Sequence, residues 1–96
     1  MRKCVLIVDD DKDIHDIIRM TMVNTFELKF AMDLAQAIDI LNSSDIDIII
    51  LDEMLPDGNG TDLCFKIKNE LKMTSLPIIM LTGKKELKDK LTAFNS

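Results

Sequence analysis

The chain has 96 residues, enough for one small domain and not for two. Its 47% hydrophobic and 30% charged residues fit a folded globular protein and exclude a disordered one, and its net charge of −5 argues against nucleic acid as a direct partner. No apolar run approaches the ~20 residues of a membrane helix, and Arg2 and Lys3 lead into a short apolar run and then acids rather than a signal peptide, so a cytoplasmic location is expected.

In chain order the pattern alternates strand and helix. Cys4 to Val8 is a continuous apolar run ending at acids, which predicts a strand buried on both faces. Ile14, Ile17, Ile18, Thr21 and Met22 then recur at helical spacing, predicting an amphipathic helix over about residues 12–24. Phe26, Leu28 and Phe30 alternate with polar residues, as in an edge strand. Asp33 is placed to cap a second helix with Leu34, Ala37, Ile38 and Leu41 on one face. Ile46 to Leu51 predicts a second buried strand. Pro56, Gly58, Asn59 and Gly60 mark a turn, after which Thr61 can cap a third helix with Leu63, Cys64, Ile67 and Leu71 inward. Pro77 introduces a fourth strand, Ile78 to Leu81. Leu87, Leu91 and Phe94 then recur at helical spacing, with Lys84, Lys85, Lys88 and Lys90 read as a solvated face.

This order predicts an α/β fold with a doubly wound parallel sheet, joined by right-handed crossovers and covered on both faces. Ligands of such sheets bind beyond the carboxyl ends of the strands. The residues at those ends are Asp9, Asp10 and Asp11 after the first strand, Asp52 after the third and Thr82 after the fourth. Acids also crowd this half of the chain: residues 1–60 hold 13 acids and 5 bases, residues 61–96 only 4 acids and 7 bases. Packed carboxylates repel one another, and a hard divalent cation such as Mg²⁺ relieves the repulsion through oxygen ligands. One carboxylate is then left as nucleophile toward a phosphoryl donor, forming an aspartyl phosphate. Asp11 and Asp13 have the plainer reading of helix caps. His15, between apolar positions 14 and 17, is read as an exposed helix residue near the site rather than a catalytic one. Cys4 and Cys64 fit neither a disulfide framework nor a metal-ligand spacing and are read as small buried thiols.

Three segments carry a resemblance. Leu6-Ile7-Val8-Asp9-Asp10-Asp11, then Ile48 to Gly60 with Asp52 followed by proline four and glycine eight residues on, then Pro77 to Gly83 ending in Leu81-Thr82, resemble in the same order the motifs of response-regulator receiver domains. The resemblance covers essentially the whole chain, 1–96. It implies the flavodoxin-like strand order, here 2-1-3-4. It further implies phosphorylation of Asp52 by a sensor histidine kinase, as in two-component signalling, with Mg²⁺ as the cofactor. Asp10 resembles a direct metal ligand, Asp9 one beside it that often acts through water, and the Met54 backbone carbonyl a further ligand. Thr82 resembles the hydroxyl that bonds the phosphoryl group, and the Gly83 amide another donor to it. Pro56 and Gly60 resemble structural positions. Glu53 falls at a variable position from which metal binding or autohydrolysis could be tuned.

The motifs stop at Ser96, where receivers continue into a fifth strand and helix that carry a lysine and an aromatic switch residue. A C-terminally incomplete receiver is therefore expected. Lys84 and Lys85, just past Thr82, are the candidates to replace the lysine in part, and losing one preorganised charge donor costs ~3–4 kcal/mol in oxyanion sites, so slow phosphotransfer is expected. The strand at 78–82 becomes an apolar edge, and self-association through it and the last helix is expected. Two other functions stay open. One is a receiver that only binds partners. The other is a haloacid-dehalogenase-like phosphatase using the Asp9-x-Asp11 spacing, which would need a lysine and an acidic pair downstream.

Overall fold

The computed structural model describes residues 2–81. Strand β1 (Cys4–Val8) leads to helix α1 (Lys12–Met22), β2 (Glu27–Ala31), α2 (Leu34–Ser43) and β3 (Ile48–Asp52). A small hairpin follows, β4 (Met54–Leu55) and β5 (Gly58–Asn59), then α3 (Gly60–Asn69) and β6 (Ile78–Leu81). The main sheet is parallel throughout, in the order β2-β1-β3-β6. That is the flavodoxin-like order expected, with β6 as the fourth strand of the main sheet. The segment expected to form the last helix lies outside the described residues.

Sequence alternation assigns the two faces of the sheet. Leu6 and Val8 of β1 join Ile49 and Leu51 of β3, Ala37 and Leu41 of α2, and Leu63 and Ile67 of α3 in one core. Val5 and Ile7 point the other way and pack with Ile14 and Ile18 of α1, together with Phe26, Leu28, Phe30, Ile48 and Ile50. β1 is thus apolar at every position because both of its faces are covered, and all five of its residues are buried. β2 is the outer described strand next to β1, as expected, but it starts at the exposed Glu27 rather than Phe26 and its burial deepens toward Ala31 instead of alternating.

Several boundaries differ from the sequence reading. β3 begins at Ile48 rather than Ile46, because Asp47 turns its carboxylate to the Cys4 amide at 2.8 Å and its own amide to the Cys4 carbonyl at 2.9 Å. α1 ends at Met22, where the Val23 amide closes on the Arg19 carbonyl. Thr61 does not cap α3. Asn59 occupies that place, Thr61 is the second helical residue, and its hydroxyl donates instead to Glu53. Leu71 lies past the end of α3 but still packs on the first core.

Leu6 is fully buried at the centre of the first core. Replacing it with alanine removes buried apolar area and leaves a cavity, and is expected to cost about 2–5 kcal/mol. Urea unfolding followed by circular dichroism will register this as a lowered midpoint with an unchanged slope.

Candidate functional site

The site follows from strand register. Val8 of β1 stands opposite Leu51 of β3, so the residues immediately after them, Asp9 and Asp52, become neighbours at the carboxyl ends of the two central strands. Asp10 adds a third carboxylate. One carboxylate oxygen from each of Asp9, Asp10 and Asp52 lies within 4.8 Å of the others. Asp9 and Asp52 are buried, and Asp10 is exposed and opens the group to solvent. The Asp9 backbone amide donates to the Ala31 carbonyl at 3.0 Å, which ties the acid to the end of β2 as well. The Asp9 Oδ1 accepts the Asp11 amide at 2.8 Å, and the Asp52 Oδ1 lies 3.4 Å from the Met54 amide.

This donor set suits a hard cation. Among the described residues it offers carboxylate oxygens, without sulfur or imidazole, and Asp10 is exposed. Carboxylates held this close repel one another, and a divalent charge would offset that repulsion.

The neighbouring acids have other work. Asp11 caps α1, accepting the Asp13 amide at 2.9 Å. Glu53 turns away from the cluster to α3, where both of its oxygens accept the Thr61 hydroxyl, at 2.9 and 2.8 Å. Gly60 has no room for a side chain: a Cβ there would stand 2.5 Å from the Asp52 carbonyl oxygen, so glycine lets α3 start directly against the acidic strand end. Thr82 and Gly83, expected at this rim, lie outside the described residues.

His15 is not exposed as expected. It is only 6% accessible, with its ring 5.0 Å from that of Phe30 on β2, and its Nε2 has no hydrogen-bond partner among the described residues. It sits one residue after Ile14 and three before Ile18, so the buried stripe of α1 is wide enough to take it in, against the edge strand. The Arg19 guanidinium lies 4.6 Å from the Phe30 ring centre. Of the two thiols expected to be buried, Cys4 is buried but Cys64 only half-buried, and burial raises the pKa of both.

Asp57 is a residue the sequence motifs do not point to. It lies between β4 and β5 and reaches across to α2, where its two oxygens accept the Leu34 amide at 2.8 Å and the Ala35 amide at 3.1 Å. The bond from the Leu34 amide is the main reason its pKa lies below the ordinary carboxylate value. The signal available was weak: an aspartate in a turn usually bonds its own neighbours, and nothing local announces a partner 23 residues back.

Comparison with known proteins fits this geometry. The response regulator receiver domain family matches residues 5–96. The chain belongs to that family. Regulatory protein VanR of Enterococcus faecium is 39% identical over 89 residues, which are 92% of this chain and 37% of that protein. The receiver thus spans little more than a third of the length of this relative. The signal receiver domain of an HD domain-containing protein from Pseudomonas fluorescens Pf-5 superposes with a TM-score of 0.79 at 31% identity, covering 97% of this chain and 72% of that one. The chemotaxis response regulator CheY4 of Vibrio cholerae shares the fold, with a TM-score of 0.78 at 23% identity over 94% of this chain and 79% of its own. No helix among the described residues of this receiver is long and apolar enough to cross a membrane.

A lowered carboxylate pKa means that Asp57 stabilises the folded state fully above the unfolded value of 3.8, and that this contribution fades as pH falls through the lower folded value. The melting temperatures of wild type and Asp57→Ala should therefore differ near neutral pH and converge under strongly acidic conditions. Thermal unfolding at a series of pH values checks the sign, and a gap that widens toward acid would contradict it.

Proposed function

We propose that this receiver accepts a phosphoryl group on Asp52 from a sensor histidine kinase, with Mg²⁺ bound by Asp9, Asp10 and Asp52. The observation that carries the reading is the convergence of these three carboxylates within 4.8 Å at the ends of the central strands. Within it, the Met54 backbone carbonyl serves as a further oxygen donor to the ion, and Thr82 as the hydroxyl that bonds the transferred group. The whole chain, 1–96, is read as one receiver domain.

In the transfer, an Asp52 carboxylate oxygen forms a bond to phosphorus as the bond from phosphorus to the donor imidazole nitrogen breaks. The departing electron pair stays on that nitrogen, which takes up a proton. The bound ion would neutralise charge shared by the attacking carboxylate and the phosphoryl oxygens. Asp52 is oriented by its place at the end of β3, Asp9 by the Asp11 amide, and Asp10 stands at the open side where a donor enters. On this reading the protein is a signalling module rather than an enzyme, assisting its own phosphorylation and dephosphorylation, and it works in the cytoplasm beside its kinase.

A phosphatase with Asp9 as nucleophile finds less support. Asp9 is fully buried, its Oδ1 is held by the Asp11 amide, and Asp11 serves as a helix cap. The readings separate in one experiment. The protein is incubated with Mg²⁺ and a small acyl phosphate, and its intact mass is measured. Wild type should gain one phosphoryl group, and Asp52→Asn none. Labelling that persists in Asp52→Asn and disappears in Asp9→Asn would move the nucleophile to Asp9, and no labelling of wild type would leave a receiver that only binds partners.

Self-association through β6 is a second part of the proposal. β6 is the outermost described strand beyond β3, and its Ile79 is 53% exposed. Light scattering is expected to give a dimer mass at high concentration, and a monomer mass throughout would remove this part alone.

A further inference from the structure

The segment from Glu53 to Asn59 is fastened at both ends by carboxylates outside the acidic cluster. At one end Glu53 accepts the Thr61 hydroxyl, and its carbonyl accepts the Gly60 amide at 2.8 Å. At the other, Asp57 grips the first turn of α2 through the Leu34 and Ala35 amides. Gly58 reinforces this second hold. Its φ is +152°, and a Cβ there would come within 2.6 Å of the Leu34 side chain, so the hairpin lies directly on α2.

α2 already has a cap of its own. Asp33 accepts the Gln36 amide at 2.8 Å, and its carbonyl accepts the Ala37 amide. One capping carboxylate is the usual provision for a helix N-terminus. The second comes from a distant segment and puts another negative charge beside Asp33. The segment that gains most from the contact is the one that supplies it. Met54 lies within that segment, three residues before Asp57 and two after Asp52, with its amide 3.4 Å from the Asp52 Oδ1.

We propose that Asp57 is a positioning residue for the metal site: its clasp on the α2 N-terminus fixes the backbone between β3 and α3, so that the Met54 carbonyl is presented to the ion held by Asp9, Asp10 and Asp52. The proposal rests on the phosphoacceptor reading and adds a residue to it that touches neither ion nor phosphate. Groups that orient metal ligands typically change metal affinity 10- to 100-fold when removed. A backbone ligand depends on such support more than a side chain does, because it can be aimed only by holding the chain.

Asp33→Ala is the control, since it weakens the same helix end without touching the hairpin. Two measurements on the full chain decide the matter: Mg²⁺ titration by calorimetry, and amide hydrogen exchange without metal. Asp57→Ala should weaken Mg²⁺ about tenfold and speed exchange across residues 53–60, including the Gly60 amide. Asp33→Ala should speed exchange only in the first turn of α2 and keep Mg²⁺ affinity near wild type. Equal loss of affinity in both variants would assign the effect to α2 itself and overturn the proposal, as would wild-type affinity or wild-type exchange at 53–60 in Asp57→Ala. Wild type that binds no Mg²⁺ would instead sink the phosphoacceptor reading, and this proposal with it.

Discussion

The pairing of β1 with β3 is the constraint on which the rest depends. Val8 faces Leu51 in a parallel ladder, and the next residue of each strand is an aspartate. A slip of one residue would separate the acids and also turn Leu6, Val8, Ile49 and Leu51 out of their shared core. The same side chains therefore fix the register and the site. Bringing carboxylates together in a half-dry setting is unfavourable by itself, and it is sustained because the strands beneath them are buried on both faces and cannot move apart without opening the core. The closeness of the three carboxylates is in this sense built in by the fold.

The walls of the site are built differently from its floor. Asp9 and Asp52 stand on central strands. The hairpin over them is only two residues long on each side and pairs only with itself. Such a short hairpin has little stability of its own. Its order is borrowed from α2 through Asp57 and Gly58, and from α3 through Glu53 and Thr61. The loop that follows Asp52 is thus the part whose position depends most on neighbouring helix ends, which joins the acidic cluster mechanically to α2 and α3.

What the sequence disclosed follows from the range of the interactions involved. The buried runs at Cys4–Val8 and Ile48–Leu51, the helical spacing of Ile14 and Ile18, and the Asp33 cap are patterns local to a few residues, and the strand order followed from the family motifs. The meeting of Asp9, Asp10 and Asp52 was also legible, since a parallel sheet gathers strand ends on one rim. The features that escaped are tertiary. His15 reads as polar on an exposed helix until Phe30 is brought beside it. Thr61 reads as a cap until Glu53 claims its hydroxyl, and Asn59 takes over the cap because the hairpin already holds the chain extended there. Asp57 carries no signal of its role in the sequence, because its partners lie on α2.

These misreadings share one physical cause. In each, a polar side chain with a common local use is recruited by a neighbouring element of the fold, and propensity carries no information about recruitment. Apolar residues are less ambiguous, since burial on a given face is set by spacing, and spacing is written in the chain. The carboxylates of this receiver accordingly divide by what constrains them. Asp9 and Asp52 inherit their positions from the apolar ladder below and so could be placed from sequence. Glu53 and Asp57 are placed by the bonds they make, and so these two acids after Asp52 turn to α3 and α2, holding the loop rather than joining the cluster.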